Sequence, residues 1–222
     1  MKKDNVWAII AAYNEERNIA GIIKRTKKYV DEVVIVDDGS ADKTRQFADK
    51  AGAIVLNHIV NLGKGAALKT GCDFAAKKGA KFIVVLDADA QHNPHDIPRF
   101  LDKLEKYNVV FSYRKLSRKM PFVLRFGNWF ISSVVGFLYG IRLNDTQCGF
   151  RAFTAEAYKR IRWNASDYSM ESEMIARAGK QRLKYVQIPI ETIYSDKYKG
   201  TTIIDGIKIV LNMVWWRLFN TK

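Results

Sequence analysis

Four short apolar, β-rich runs, at 6–12, 33–36, 53–56 and 82–86, alternate with helical patterns that begin near Glu15, Asp42 and Lys64. This alternation builds βαβ units around a parallel sheet, so the chain is expected to be α/β, with a mostly parallel, Rossmann-like sheet flanked by helices. Each of three runs ends in polar residues: Tyr13-Asn14-Glu15, Asp37-Asp38-Gly39-Ser40 and Asp87-Ala88-Asp89. In open α/β sheets the carboxyl ends of the strands form the ligand crevice, and three acidic clusters are therefore expected along one edge. Taken singly, each cluster has a plainer reading, because Asp-Gly is a common turn and Ser40 or Asp42 can cap the helix that follows.

With 222 residues, 48% of them hydrophobic, the chain suffices for one compact domain spanning 1–222. The formal charge of +14 points to an anionic partner, whether nucleic acid, a membrane surface or a phosphorylated substrate. Cys72 and Cys148 are too far apart for a CxxC pair and lack a neighbouring histidine pattern, so neither a zinc site nor a disulfide framework is indicated, and a reducing cytosol is expected. The first residues carry no apolar export signal.

From 109 to 143 the character becomes basic and apolar together, with Arg114, Lys115, Arg118, Lys119, Arg125 and Arg142 and no acidic residue. The uncharged stretch 126–141 within it is shorter than the ~20 residues a membrane-crossing helix needs, which favours a buried or interfacial helix. The last segment, 202–219, places Asp205, Lys208 and Asn212 among Ile, Leu, Val and Met, the pattern of an amphipathic helix. Trp215, Trp216 and Arg217 suit a membrane interface, and docking on the protein core is the competing reading. No transmembrane span is expected.

Asp87-Ala88-Asp89 follows the most apolar run, and its two carboxylates, on alternate residues, face the same way. Mg²⁺ or Mn²⁺ favours oxygen ligands and often takes one or two carboxylates, with phosphate oxygens and water completing the shell. Gln91 adds another oxygen, while His92 suits a hard cation less well. Arg114 ends another strand-like run, 109–113, and can reach the same crevice, or it is a solvated basic residue. The Asn61-Leu62-Gly63-Lys64-Gly65-Ala66 segment lacks GxxxxGK[ST] spacing, and no GxGxxG follows the first run, so Gly63 and Gly65 are read as permitting a tight turn into a helix.

Together, Ala12-Tyr13-Asn14-Glu15-Glu16-Arg17-Asn18, Val36-Asp37-Asp38-Gly39-Ser40, Asn61-Leu62-Gly63-Lys64-Gly65, Asp87-Ala88-Asp89-Ala90-Gln91-His92 and Gly149-Phe150-Arg151 closely resemble family 2 glycosyltransferases of the GT-A fold. Within that family the chain is most similar to dolichyl-phosphate mannose synthases and related polyprenyl-phosphate glycosyltransferases. The resemblance runs from about Val6 to Phe219. It implies that Ala12, Tyr13, Glu15, Val36 and Asp37 form the nucleoside side of the donor site. It also implies that Asp87, Ala88, Asp89 and Gln91 form the metal and diphosphate motif, with Asp87, Asp89 and Gln91 as metal ligands and Arg114 as a phosphate-contacting arginine. Lys197 stands where family members often have an arginine, keeping the charge without the bidentate fork. Ala12 replaces the usual proline, leaving the first loop less rigid. Arg118, Lys119 and, foremost, Arg125 are implied acceptor-phosphate residues. The chain resembles the short, peripherally attached members, so that residues 115–142 and 202–219 would contact the cytoplasmic face of a membrane, with or without a membrane-anchoring partner subunit.

The expected reaction is inverting transfer of mannose from GDP-mannose to a polyprenyl (dolichyl) phosphate with Mg²⁺ or Mn²⁺. UDP-glucose and UDP-N-acetylglucosamine are the alternative donors. A lipid monophosphate with a second pKa near ~6 is largely a dianion at neutral pH and attacks without a strong base. A sugar hydroxyl acceptor instead needs a carboxylate base, for which Glu171 and Glu173 are the candidates, matching a family motif near the acceptor side; as plain structure they begin a helix. Of the other classes, a basic nucleic-acid-binding module conflicts with the acidic strand ends and shows no recognised motif. A catalytically silent membrane-bound subunit conflicts with an intact Asp87, Asp89 and Gln91, so no nucleic-acid partner is expected and an enzyme is.

Overall fold

Along the first strand of the structure, β1 (Val6–Ala12), Val6, Ala8, Ile10 and Ala12 enter one hydrophobic cluster while Trp7 and Ile9 enter another. A strand that alternates between two apolar layers is buried on both faces, which is why it reads as a continuous hydrophobic run. In this computed structural model, residues 4–114, 122–191 and 203–219 are described. After β1 come α1 (Ile19–Thr26), β2 (Glu32–Asp37), α2 (Thr44–Lys50), β3 (Ile54–Asn57), α3 (Lys64–Lys77) and β4 (Phe82–Asp87). A 3-10 turn, Pro94–Asp96, leads into α4 (Ile97–Lys103), followed by β5 (Val109–Arg114), α5 (Phe122–Tyr139), β6 (Arg151–Thr154), α6 (Ala155–Ile161), α7 (Met170–Lys180), β7 (Tyr185–Ile190) and α8 (Ile203–Phe219).

The seven strands form one sheet in the order β3-β2-β1-β4-β6-β5-β7. β1 pairs in parallel with β2 on one side and β4 on the other, with Ala12 opposite Asp37 and Ala11 opposite Asp87. The order reverses between β1 and β4, and such a switch point opens a crevice at the carboxyl ends of the strands. β6 runs antiparallel to both β4 and β5, and β7 is parallel to β5. Two reversals restore direction, so β4 and β5 end at the same edge, and the turn that enters β6 lies there as well.

Helices α1 and α2 begin later than the sequence pattern suggests, at Ile19 and Thr44. The reason is local chemistry: the residues ahead of them cross-link two loops instead of joining the helices. Helix α8 docks by one face, with Met213 fully buried, its backbone carbonyl accepting from Tyr139 Oη at 2.6 Å, and the Trp216 carbonyl accepting from Lys180 Nζ at 2.7 Å. Leu211, Val214, Trp215 and Leu218 remain exposed, as do Trp129, Phe130 and Phe137 of α5. Among the described residues, no helix is long and apolar enough to cross a membrane.

Candidate active site

The first two loops at the sheet edge are stitched together. The Asn14 N–H donates to Ser40 Oγ and the Ala41 N–H to Asn14 Oδ1, both at 2.9 Å, and the Glu15 N–H donates to Thr44 Oγ1 at 2.8 Å. Asp42 accepts from the Thr44 N–H and hydroxyl through Oδ1 and from the Glu16 N–H through Oδ2. These bonds satisfy loop and helix-start donors at once, so Asp42 does cap-like work at the start of α2 while Ser40 ties the first loop to the second. Asp37 is buried and accepts from the Ser40 N–H, Val36 is in the core, Glu15 accepts from Asn18 Nδ2, and Tyr13 leaves its ring half-exposed.

Asp38, adjacent to Asp37 and also buried, organises the approach to α3. Its carboxylate contacts His58 Nδ1 at 2.7 Å and accepts from the backbone N–H groups of Leu62 and Gly63 at 3.0 and 2.8 Å. Gly63 has φ +95, and a Cβ there would lie 2.5 Å from the Ser166 carbonyl; at Gly65 it would lie 2.4 Å from the Ala165 carbonyl. Gly63 thus makes the tight turn into α3, and both glycines let the 165–166 backbone press against the start of that helix.

This packing delivers Lys64 into the edge of the sheet. Its Nζ lies 2.6 Å from Asp87 Oδ1 and 2.9 Å from Glu171 Oε1. Burial opposes a charged lysine, but the two carboxylates outweigh it and hold the Lys64 pKa well above its ordinary value. Burial likewise favours a neutral Asp87, and the Lys64 charge reverses that, keeping the Asp87 carboxyl below the usual range. Asp89 behaves oppositely: burial and then the Asp87 charge raise its pKa, although its carboxylate accepts from the Gln91 N–H at 3.0 Å across the turn at Ala90.

Glu171 and Glu173 have different surroundings. Glu171 is 2% exposed, and its Oε2 is a buried oxygen with no hydrogen-bond partner among the described residues. Glu173 has both oxygens engaged, Oε2 by the Asn164 and Ala165 N–H groups and Oε1 by Arg177 Nε, and so braces the loop that presses on α3. Arg151 is buried at the start of β6 and donates to the carbonyls of Cys148, Glu171 and Thr146, tying the 146–151 turn to α7. Arg114, at the end of β5, forms a two-point pair with Asp145.

The arrangement fits a divalent cation of the kind that takes few protein ligands. Among the described residues no group of three His, Cys, Asp or Glu side chains forms a full cage. Asp87 and Asp89 sit at the end of β4, an orphaned carboxylate oxygen lies beside the Lys64 cation, and hard cations such as Mg²⁺ use one or two carboxylates together with substrate phosphates. Ala88 is buried in the core between them.

Of the residues singled out from the sequence, Tyr13, Glu15, Val36, Asp37, Asp87, Asp89, Gln91 and Arg114 lie at the carboxyl edge of the sheet, and Glu171 reaches it through Lys64. Arg118, Lys119 and Lys197 lie outside the described residues; Arg125 belongs to α5, where its side chain is likewise outside them. Sequence reasoning passed over Lys64, Asp38 and Asp145 as site residues. Lys64 carried a signal, since it stands in the quoted Asn61–Gly65 motif, but nothing local pairs it with carboxylates far along the chain.

Residues 7–162 match the family model described as "Glycosyl transferase family 2". The chain is 31% identical to a UDP-N-acetylglucosamine–dolichyl-phosphate N-acetylglucosaminyltransferase of Methanococcus voltae, over 96% of each chain. It is 28% identical to an undecaprenyl-phosphate mannosyltransferase of Micrococcus luteus, over 96% of this chain and 94% of that one. Among solved structures, glucosyl-3-phosphoglycerate synthase from Mycobacterium tuberculosis, in complex with Mn²⁺, UDP and glucosyl-3-phosphoglycerate, superposes with a TM-score of 0.73 at 20% identity, covering 96% of this chain and 80% of that chain.

Proposed function

The chain belongs to glycosyl transferase family 2, and from that membership we propose that it transfers a hexose from a nucleoside diphosphate sugar to the phosphate of a polyprenyl lipid. The observation that carries the reading is the junction at the end of β4, where Asp87, Asp89, Lys64 and the unpartnered Glu171 oxygen meet at the sheet's switch point. Mg²⁺ or Mn²⁺, held by Asp87, Asp89 and Gln91, would supply charge neutralisation of the departing diphosphate. The M. tuberculosis neighbour, crystallised with Mn²⁺ and UDP, supports such a metal.

Each side chain then has a task. Tyr13, Glu15 and Asp37 bind the nucleoside, with the Val36 side chain buried in the core beneath them, and the stitched 13–16 and 38–44 loops keep that pocket in shape. Lys64 and Arg114 present cations to the diphosphate, where charge develops as the bond to the sugar breaks. Lys197, further along the chain, adds a third. A phosphate oxygen of the acceptor forms a bond to the anomeric carbon from the face opposite the departing nucleoside diphosphate, whose bond breaks, so the configuration inverts. The acceptor is already an anion, so no general base is required. Glu171 pairs with Lys64 in the ligand-free protein, and a hydroxyl acceptor would call on that carboxylate rather than on Glu173, which is fully engaged.

Arg125, Arg118 and Lys119 are assigned to the acceptor phosphate. The exposed Trp129, Phe137, Leu211 and Trp215 of α5 and α8 are assigned to the cytoplasmic face of a membrane, where indole and apolar side chains partition. A membrane-anchoring subunit could supplement this contact. Three donors are carried forward: GDP-mannose, which the sequence resemblance implies and whose sugar is named in the Micrococcus relative; UDP-N-acetylglucosamine, named in the Methanococcus relative; and UDP-glucose. The test is transfer from radiolabelled GDP- and UDP-sugars to polyprenyl phosphate in detergent with Mn²⁺. Label in the lipid phase from one donor, absent with Asp89→Ala, is the expected result; no transfer from any donor by folded protein would defeat the reading.

A further inference from the structure

We propose that Lys64 is a latch on the metal site: its ammonium fills the gap between Asp87 and Glu171, so that a divalent cation binds tightly only when a diphosphate is present to receive Lys64. This rests on the metal-dependent reading above and concerns what that reading leaves open, the order and coupling of the two ligands.

Three observations support it. First, Lys64 Nζ bridges two carboxylates, at 2.6 Å to Asp87 and 2.9 Å to Glu171, and the Glu171 side chain is only 3% exposed. Withdrawing the ammonium with nothing in return leaves Glu171 as an uncompensated buried charge, a costly state. Second, the ammonium already occupies Asp87 Oδ1, and the Gly149 backbone closes one side of the pair, where an added Cβ would lie 2.7 Å from Asp87 Oδ2 and 2.9 Å from Lys64 Nζ; a cation bound through Asp87 Oδ1 therefore competes with the ammonium. Third, the backbone under Lys64 is held while its side chain has somewhere to go. Asp38 grips the Gly63 N–H, Ser166 accepts from the Ala66 N–H, and the side chain keeps 19% exposure beside the Tyr168 ring, 5.8 Å away. Only the flexible lysine stem has to move, and an incoming diphosphate offers the ammonium a new anionic partner.

A cation entering alone therefore displaces Lys64 into solvent and loses binding energy to that displacement. A cation entering with a diphosphate loses less, because the displaced ammonium meets the negative charge of the diphosphate instead of solvent, and the two ligands gain a reciprocal positive coupling beyond their direct contact. The residue acts on the metal through Asp87 and is a positioning residue in the metal-free protein.

The experiment measures Mn²⁺ binding by the electron paramagnetic resonance signal of the free ion, for wild type and Lys64→Gln, each alone and with saturating GDP or UDP. Wild type is expected to bind Mn²⁺ at least about 10-fold more tightly with the diphosphate. Lys64→Gln is expected to bind Mn²⁺ alone about 10-fold more tightly than wild type, with the diphosphate enhancement reduced by a similar factor, within the usual range of coupling. Lys64→Met, of similar length, replaces Lys64→Gln if circular dichroism shows that variant unfolded. A folded variant with unchanged or weaker affinity for Mn²⁺ alone overturns the latch while leaving the metal reading intact. Wild-type affinity for Mn²⁺ that no diphosphate alters overturns the latch without any variant. Absence of Mn²⁺ binding in wild type under both conditions defeats the metal reading itself, and the latch with it.

Discussion

Arg114 and Asp145 form a two-point ion pair, with Nε 2.6 Å from Oδ2 and Nη2 3.2 Å from Oδ1. The pair joins the end of β5 to the turn that enters β6, and Asp145 also accepts from the Gln147 N–H, so the arginine is aimed by a carboxylate that is itself fixed. Asp145→Asn keeps the shape but removes the charge and half of the fork. Hydrogen bonds to charged groups contribute about 1.5–3 kcal/mol, so kcat/KM for the donor should fall by roughly 10-fold or more. Arg114→Lys should fall similarly, because an ammonium cannot make the fork. Steady-state kinetics with varied donor decide it, and an unchanged Asp145→Asn enzyme would separate Arg114 from the reaction.

Chelation with EDTA should abolish transfer, and added Mn²⁺ or Mg²⁺ should restore it. Asp89→Asn should lower kcat by about 10²–10³-fold, the scale of losing one preorganised electrostatic contact. Because burial and the Asp87 charge disfavour an ionised Asp89, this substitution should leave the melting temperature unchanged or raise it. Loss of both activity and fold would point to a structural Asp89 instead.

Gly63→Ala probes the backbone beneath Lys64. It forces a side chain into φ +95 and sets a Cβ 2.5 Å from the Ser166 carbonyl. The expected destabilisation is about 1–3 kcal/mol, measured by urea unfolding, with transfer activity reduced in the fraction that remains folded.

Asp73 predicts a pH signature away from the site. Burial would raise its pKa, but hydrogen bonds from Arg162 at 2.8 and 2.7 Å and from Tyr158 Oη at 2.6 Å prevail and lower it. A lowered carboxyl pKa contributes stability above the unfolded value of about 3.9, and that contribution is lost as pH falls through the folded value. Asp73→Asn should therefore cost roughly 0.5–1 kcal/mol at pH 7, a modest figure because the pair is partly exposed. The gap to wild type should narrow as pH falls below about 4; urea unfolding at pH 7 and at about pH 3 checks the sign.

Phe137 and Trp215 are 90% and 60% exposed. Replacing both with serine removes apolar area without opening the core, so binding to anionic phospholipid vesicles in a sedimentation assay should weaken by about 10-fold or more, given ~25 cal/mol per Å² of apolar surface. The melting temperature should hold. Equal partitioning of variant and wild type would remove these helices from the membrane contact.

Much of this architecture was legible in the chain. The apolar, β-rich runs that became β1, β2 and β4 and the polar residues that close them are local signals, and they suffice to place Asp37, Asp87 and Asp89 at one edge. The competing readings of 202–219 needed the structure: Met213 buries one face on the core while Leu211 and Trp215 stay outside, and periodicity alone does not say which neighbour a helix meets.

What the sequence by itself determined is the set of elements and the edge where their polar ends gather, because strand and helix periods are written within a few residues. Only the tertiary structure decided that β6 runs against β4 and β5, that Arg114 closes on Asp145, that Glu173 is a brace while Glu171 keeps an unpartnered oxygen, and that Lys64 stands between Asp87 and Glu171. The physical reason is separation along the chain: short-range patterning carries the period of an element, whereas an ion pair between distant residues depends on the register of every strand and the packing of every loop that lies between them.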